Sequence, residues 1–116
     1  MSNFSKVSVS DAARTELHDL LGLTGAEVSI NSMPAGAGVP FVHYHKKNEE
    51  IYTILNGEGR MVIDGETVDL KAGDWMRVAP AAKRQLFADT DLCYVCIQVR
   101  ENSLEEYTGT DGVIEQ

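Results

Sequence analysis

The amino-acid sequence predicts an all-β protein, a sandwich or small barrel of short strands preceded by one short helix. Three observations carry that prediction. From Ala26 to Val99 the chain is a succession of short runs rich in β-branched and aromatic residues. Glycine-bearing turns separate the runs, among them Asn56-Gly57 and Asp64-Gly65. The length of 116 residues suffices for one hydrophobic core and is short for two.

Near the N-terminus, Ser10 offers a capping hydroxyl and Asp11 an acidic first turn. Leu17, Leu20 and Leu21 then form an apolar stripe that Gly22 stops, which predicts a helix over residues 11–21. The periodicity changes from Ala26, where Val28 and Ile30 alternate with Ser29 and Asn31 as in a strand. Met33-Pro34-Ala35-Gly36-Ala37-Gly38 breaks that run. Its glycines lack the following helix that a phosphate cradle needs, so the loop is expected to be a flexible lip of a pocket. Extended segments are expected over 39–45 and 50–55. Asn56-Gly57 then predicts a hairpin into 60–63, and Asp64-Gly65-Glu66 a second hairpin into 67–70. Ala72-Gly73-Asp74 turns into a third pair member over 75–79, ended by Pro80, and segments 84–88 and 92–99 complete the set. The expected organisation is an N-terminal arm and helix over 1–25, a barrel over 26–100 and an irregular acidic tail over 101–116.

Charge and cysteine usage narrow the function classes. Ten Lys and Arg oppose eighteen Asp and Glu, and the net charge of -8 repels phosphate backbones and anionic headgroups. Neither nucleic acid nor a membrane is an expected partner. No apolar run approaches the roughly 20 residues that span a bilayer. Met1-Ser2-Asn3-Phe4 lacks the basic and apolar regions of a signal peptide, and a cytoplasmic address is expected. Cys93 and Cys96 have the spacing of a redox pair but lie in the strand-like run Leu92 to Val99. An odd separation in a strand turns the two sulfurs to opposite faces, so packing thiols are expected there.

The chemistry concentrates at His43-Tyr44-His45 and Glu50. In an extended segment, side chains two apart share a face, so both imidazoles point one way and Tyr44 the other. Two imidazoles and one carboxylate on one side of a metal, with other positions open, suit Fe(II) and tolerate Mn, Ni, Co or Zn. His18 lies between acidic residues in the predicted helix and is expected to face solvent.

The run from Gly38 to Gly57, with His43, His45, Glu50 and Gly57 in register, resembles the first conserved motif of the cupin superfamily. On that resemblance Glu50 is the ligand and Glu49 its outward neighbour. The implied fold is a double-stranded β-helix, the jelly-roll cupin barrel, over roughly residues 26–99 with a divalent transition metal in its mouth. The family's second motif, which ends on a third metal-binding His, has its counterpart in Gly73 to Gln85. Alignment on Pro80 puts Ala82 where a Gly is usual and Gln85 where the His is usual. Gln85 is thereby a fourth ligand through its neutral side-chain oxygen, a group that orients bound water or substrate, or a sign of a degenerate site.

Tyr52 and Ile54 share strand parity with Glu50 and are expected inside the barrel, with Tyr52, Met61 and Ile63 as walls of a substrate pocket and either Met76 or Trp75 beside them. Arg60, Arg77 and Arg84 are candidates for holding a substrate carboxylate. The resemblance implies a metal-dependent enzyme acting on a small organic acid or related metabolite, with Fe(II) dioxygenase-like oxidation as the leading chemistry. Isomerase or lyase chemistry, a non-catalytic small-ligand-binding or sensor barrel, and a structural dimer braced by metal are the alternatives. By the same resemblance a homodimer is expected, with Phe4, Val7, Val9, Val113 and Ile114 as spare apolar residues.

Overall fold

Eight strands in two antiparallel sheets enclose one core in the computed structural model, which describes residues 3–115. In chain order the elements are β1 (Arg14–Glu16), α1 (His18–Leu21), β2 (Glu27–Met33), β3 (Asn48–Asn56), β4 (Glu58–Ile63), β5 (Glu66–Lys71), β6 (Trp75–Val78), β7 (Arg84–Ala88) and β8 (Leu92–Arg100). The larger sheet has the order β1-β2-β8-β3-β6 and the smaller β5-β4-β7. Strand alternation sends Tyr52 and Ile54 of β3, Met61 of β4, Leu86 of β7 and Leu92 and Tyr94 of β8 into a shared core. The architecture is the all-β jelly roll expected from the sequence.

The expected helix over 11–21 is replaced by a short edge strand and a single helical turn. Arg14, Thr15 and Glu16 pair with Asn31, Ile30 and Ser29, and only His18–Leu21 is helical. The leucine stripe does not enter the core: no residue of α1 is buried and Leu20 stays exposed. A turn this short needs outside support. Glu27 supplies it, its Oε1 accepting from the backbone N–H groups of Leu17 and His18 at 3.1 and 3.0 Å. Gly22, in the left-handed region at φ 68°, closes the turn.

The turns divide into one that makes a hairpin and two that change sheets. Asp64 and Gly65 have φ of 49° and 83° and join β4 to β5 with Ile63 opposite Glu66, the tight hairpin expected. Asn56-Gly57 does not form the expected hairpin, because β3 lies in the larger sheet and β4 in the smaller. The turn is held across the barrel, with Glu58 N–H donating to Thr90 Oγ1 and Glu58 O accepting from the amides of Asp89 and Thr90. Likewise β6 pairs with β3, not with the preceding β5.

Residues 39–45 run along β7 but form no continuous strand. Isolated bridges pair Gly38 with Phe87 and His43 with Arg84, and Pro40 between them has no N–H to donate. The glycine loop before them is tied down, not free: Gly36 N–H donates to Ala88 O, and Ala88 N–H to Ala37 O. Beyond β8 the described tail, through residue 115, has turns but no regular element. Among the described residues, no helix is long and apolar enough to cross a membrane.

Candidate metal centre

His43, His45 and Glu50 converge inside the barrel, with one ligand atom from each lying within 4.8 Å of the others. His43 Nε2 is 3.8 Å from Glu50 Oε1, and His45 Nε2 is 3.2 Å from Glu50 Oε2. Two ligands about 2.1 Å from one ion can lie up to roughly 4.2 Å apart, so the cluster is near the span of a shared cation. The imidazole planes stand at 88° with centroids 5.3 Å apart. His45 Nε2 is buried and has no hydrogen-bond partner. An orphaned imidazole nitrogen beside a buried carboxylate is a donor set that fits a divalent metal.

The local fold explains the convergence. His43 and Arg84 exchange backbone hydrogen bonds, His43 N to Arg84 O at 3.1 Å and Arg84 N to His43 O at 3.0 Å, and His45 N–H is held by Pro80 O. Glu50 comes from the start of β3, opposite Gln98 of β8 and Val78 of β6. Its carboxylate is only 3% exposed. Tyr52 OH donates to Glu50 Oε1 at 2.7 Å and Cys96 Sγ to Oε2 at 3.3 Å, so each carboxylate oxygen is oriented from behind. Burial, with Cys96 and the Glu50 charge adding to it, pushes the Tyr52 hydroxyl far above the ordinary phenol range. Burial and then Glu50 push the Cys96 thiol up to about 12. Both groups therefore keep their protons and donate. The His43 ring shifts the other way: burial lowers its pKa most, Glu50 opposes that, and Arg84 and His45 lower it further.

A cavity of about 460 Å³ opens beside the cluster. Val39, Phe41, Tyr52, Met61 and Leu86 are among its apolar walls, and Arg14, Asn31, Arg84 and Gln98 are among its polar ones. Its size is that of a small-molecule site. A second cleft of about 460 Å³, lined by residues including Asp11, Ser32, Asp91 and Cys93, lies away from the imidazoles and carboxylate.

Tyr52 and Met61 line the cavity. Ile63 packs against the core but is not among the cavity residues, and Met76 packs inward while Trp75 lies exposed on the opposite face. Gln85 is not among the cavity residues. Alternation on β7 puts Arg84 and Leu86 at the cavity, and Gln85 Nε2 donates to Val39 O at 2.8 Å. Through its amide nitrogen Gln85 ties β7 to the neighbouring segment. Arg60 pairs with Asp89 and stacks over Phe87, and Arg77 bridges Glu49 and Glu101 on the surface. Only Arg84 of the three reaches the site. His18 is half-exposed beside Asp19, as expected for a residue outside the centre.

Cys96, Asn31 and Ser29 escaped the reading of the sequence. Cys96 is inward and Cys93 is not, as strand parity requires, but nothing in the sequence placed the Cys96 sulfur against Glu50. Asn31 and Ser29 form the buried face of β2, with Asn31 accepting from Arg14 and donating to Ser29. Asn31 borders the cavity, and Ser29 is its hydrogen-bond partner behind it. Arg84 carried a parity signal, sharing its face with Leu86 and Ala88, but Phe87 beside Gln85 offers an apolar alternative.

The chain belongs to the cupins: the cupin domain model matches residues 30–98. The structure superimposes on the crystal structure of a cupin protein from Bacteroides fragilis with a TM-score of 0.95 at 60% identity, covering 100% of both chains. A predicted oxalate decarboxylase from Thermotoga maritima is 28% identical, with a TM-score of 0.57 over 65% of this chain and 64% of that one. An uncharacterized protein of Aquifex aeolicus is 31% identical over 71 residues, which is 61% of this chain and 55% of that protein. The chain spans about half the length of the curated relatives it matches.

Proposed function

We propose that this chain is a metal-dependent cupin enzyme acting on a small organic acid or related metabolite, with Fe(II)-dependent oxidation as its chemistry. The observation that carries the reading is the convergence of His43, His45 and Glu50 at the wall of a small-molecule cavity. With the Gln85 amide engaged by Val39 O, His43, His45 and Glu50 would be the three residues that hold the metal. A divalent metal held by them supplies Lewis acidity and, as Fe(II), the capacity to activate dioxygen next to a substrate. Tyr52 and Cys96 fix the orientation of the Glu50 carboxylate, keeping it a ligand and not a base. Met61, Leu86 and Phe41 border the space for the organic body of the substrate and limit competing water. The likeness to a predicted oxalate decarboxylase supports a small acid as substrate class.

A second reading is a ligand-binding barrel without turnover. Arg84 favours it, since its Nε lies 3.7 Å from Glu50 Oε1 and places a cation beside the carboxylate without any metal.

Elemental analysis of protein purified anaerobically without chelator, with His43→Ala as control, tests the proposal. The expected result is near-stoichiometric iron that the variant loses, together with oxygen uptake in the presence of a small acid. Stoichiometric zinc, manganese or nickel moves the chemistry to an isomerase or lyase. A folded protein that holds no metal and refuses added metal overturns the enzyme reading in favour of the ligand-binding barrel. The proposal takes the working unit as a cytoplasmic homodimer, its barrel spanning residues 26–100 between an N-terminal arm and a C-terminal tail.

A further inference from the structure

Arg84 is 1% exposed, lines the cavity, and has two nitrogens, Nε and Nη1, that are buried without a hydrogen-bond partner. Its Nη2 is anchored on Ala79 O at 2.6 Å, and its backbone is locked to His43, so the guanidinium is held in place. Buried N–H groups of a charged side chain are costly to leave unpaired, and Glu50 at 3.7 Å balances the charge without a hydrogen bond to either nitrogen. The other charged groups at the cavity do not serve them. Arg14 is a second cation, engaged with Glu16 and Asn31, and His43 and His45 are donors or metal ligands.

We infer that Arg84 is the receptor for the carboxylate of a small anionic ligand. This deepens the function proposed above, naming the substrate group and the residue that selects it. A carboxylate fits better than inorganic phosphate, because the planar guanidinium can offer it two N–H groups while the apolar walls at Val39, Met61 and Leu86 accept a carbon body.

The test is calorimetric titration of oxalate into the full chain, stripped of metal by chelator and dialysed, for wild type, Arg84→Met and Arg84→Lys. Inorganic phosphate is the comparison ligand, and circular dichroism reports the fold. Wild type is expected to bind oxalate more tightly than phosphate. Arg84→Met is expected to lose about 10- to 100-fold in oxalate affinity, as for a hydrogen bond to a charged group. Arg84→Lys is expected to show a smaller loss, since it keeps charge without the planar donor set. Equal oxalate affinity in wild type and folded Arg84→Met overturns the inference, as does tighter phosphate binding or no oxalate binding by wild type. If Arg84→Met does not fold, an Arg84→Lys affinity equal to wild type overturns it. Metal content measured on the unstripped preparations separates the two proposals. Arg84-dependent oxalate binding in a protein that takes no metal supports the receptor and sinks only the metal reading, whereas stoichiometric metal with Arg84-independent oxalate binding does the reverse.

Discussion

At the residue scale the centre depends on groups behind Glu50 as much as on the ligands. Tyr52 OH holds one carboxylate oxygen and the Cys96 thiol the other. Such outer partners typically contribute 10–100-fold to metal affinity. Tyr52→Phe is therefore expected to weaken metal binding by about that factor with the fold intact, measured by competition with a chromophoric chelator. Gln85→Ala should leave metal content unchanged, because the Gln85 amide is engaged with Val39 O outside the ligand cluster. The pH dependence follows from His43. Burial, as the largest cause, sets its folded pKa below the ordinary imidazole value of 6.5, so the unfolded chain takes up the proton first as pH falls. The metal-free protein should lose stability as pH falls from about 6.5 through the lower folded pKa, with no further change from this group beneath that. Thermal melts across this range should show a shallower acid-side decline for His43→Asn. Equal slopes would remove His43 as the source.

At the element scale, the Asn56-Gly57 turn joins β3 in the larger sheet to β4 in the smaller one. Gly57 has φ 89°, and a Cβ there would stand 2.0 Å from Asp91 O. Gly57→Ala is expected to destabilise by about 3 kcal/mol through backbone strain and displacement of the segment before β8. Urea denaturation checks this, and an unchanged midpoint would mean that the turn relaxes freely. The same turn shows how local sequence misleads. Asn-Gly favours positive φ whichever strands follow, so it reports a tight reversal and not the partner of each strand. The leucine stripe after Asp11 is a similar case, since a helical pattern becomes a helix mainly by burying its face, and here β2 claims residues 14–16 as an edge strand instead.

At the scale of the whole molecule, the outer face of the larger sheet carries Val28, Ile30, Ile51, Val95 and Ile97, with Trp75 69% exposed beside them. Phe4, Leu104, Tyr107, Val113 and Ile114 add exposed apolar groups on the terminal segments. This distribution supports the proposed homodimer, because large exposed apolar patches mark association surfaces. Ile97→Lys should convert a dimer to monomer in multi-angle light scattering while leaving the metal ligands on the inner face untouched. A wild type that runs as a monomer would refute the dimer.

By itself the sequence determined the strand character of the segments that form β2 to β8, the Asp64-Gly65 hairpin and the joint placement of His43, His45 and Glu50. These rest on local rules: the two-residue alternation of a strand, the turn chemistry of glycine and the spacing of ligands within one short stretch. Only the tertiary structure decided that Arg84 and not Gln85 faces the cavity, that Cys96 and Tyr52 orient Glu50, and that Ser29 and Asn31 are the buried side of β2. The reason is the same in each case. A shift of one residue in strand register exchanges the inner and outer faces, and that register is set by partners distant in the sequence, as when Arg84 docks opposite His43.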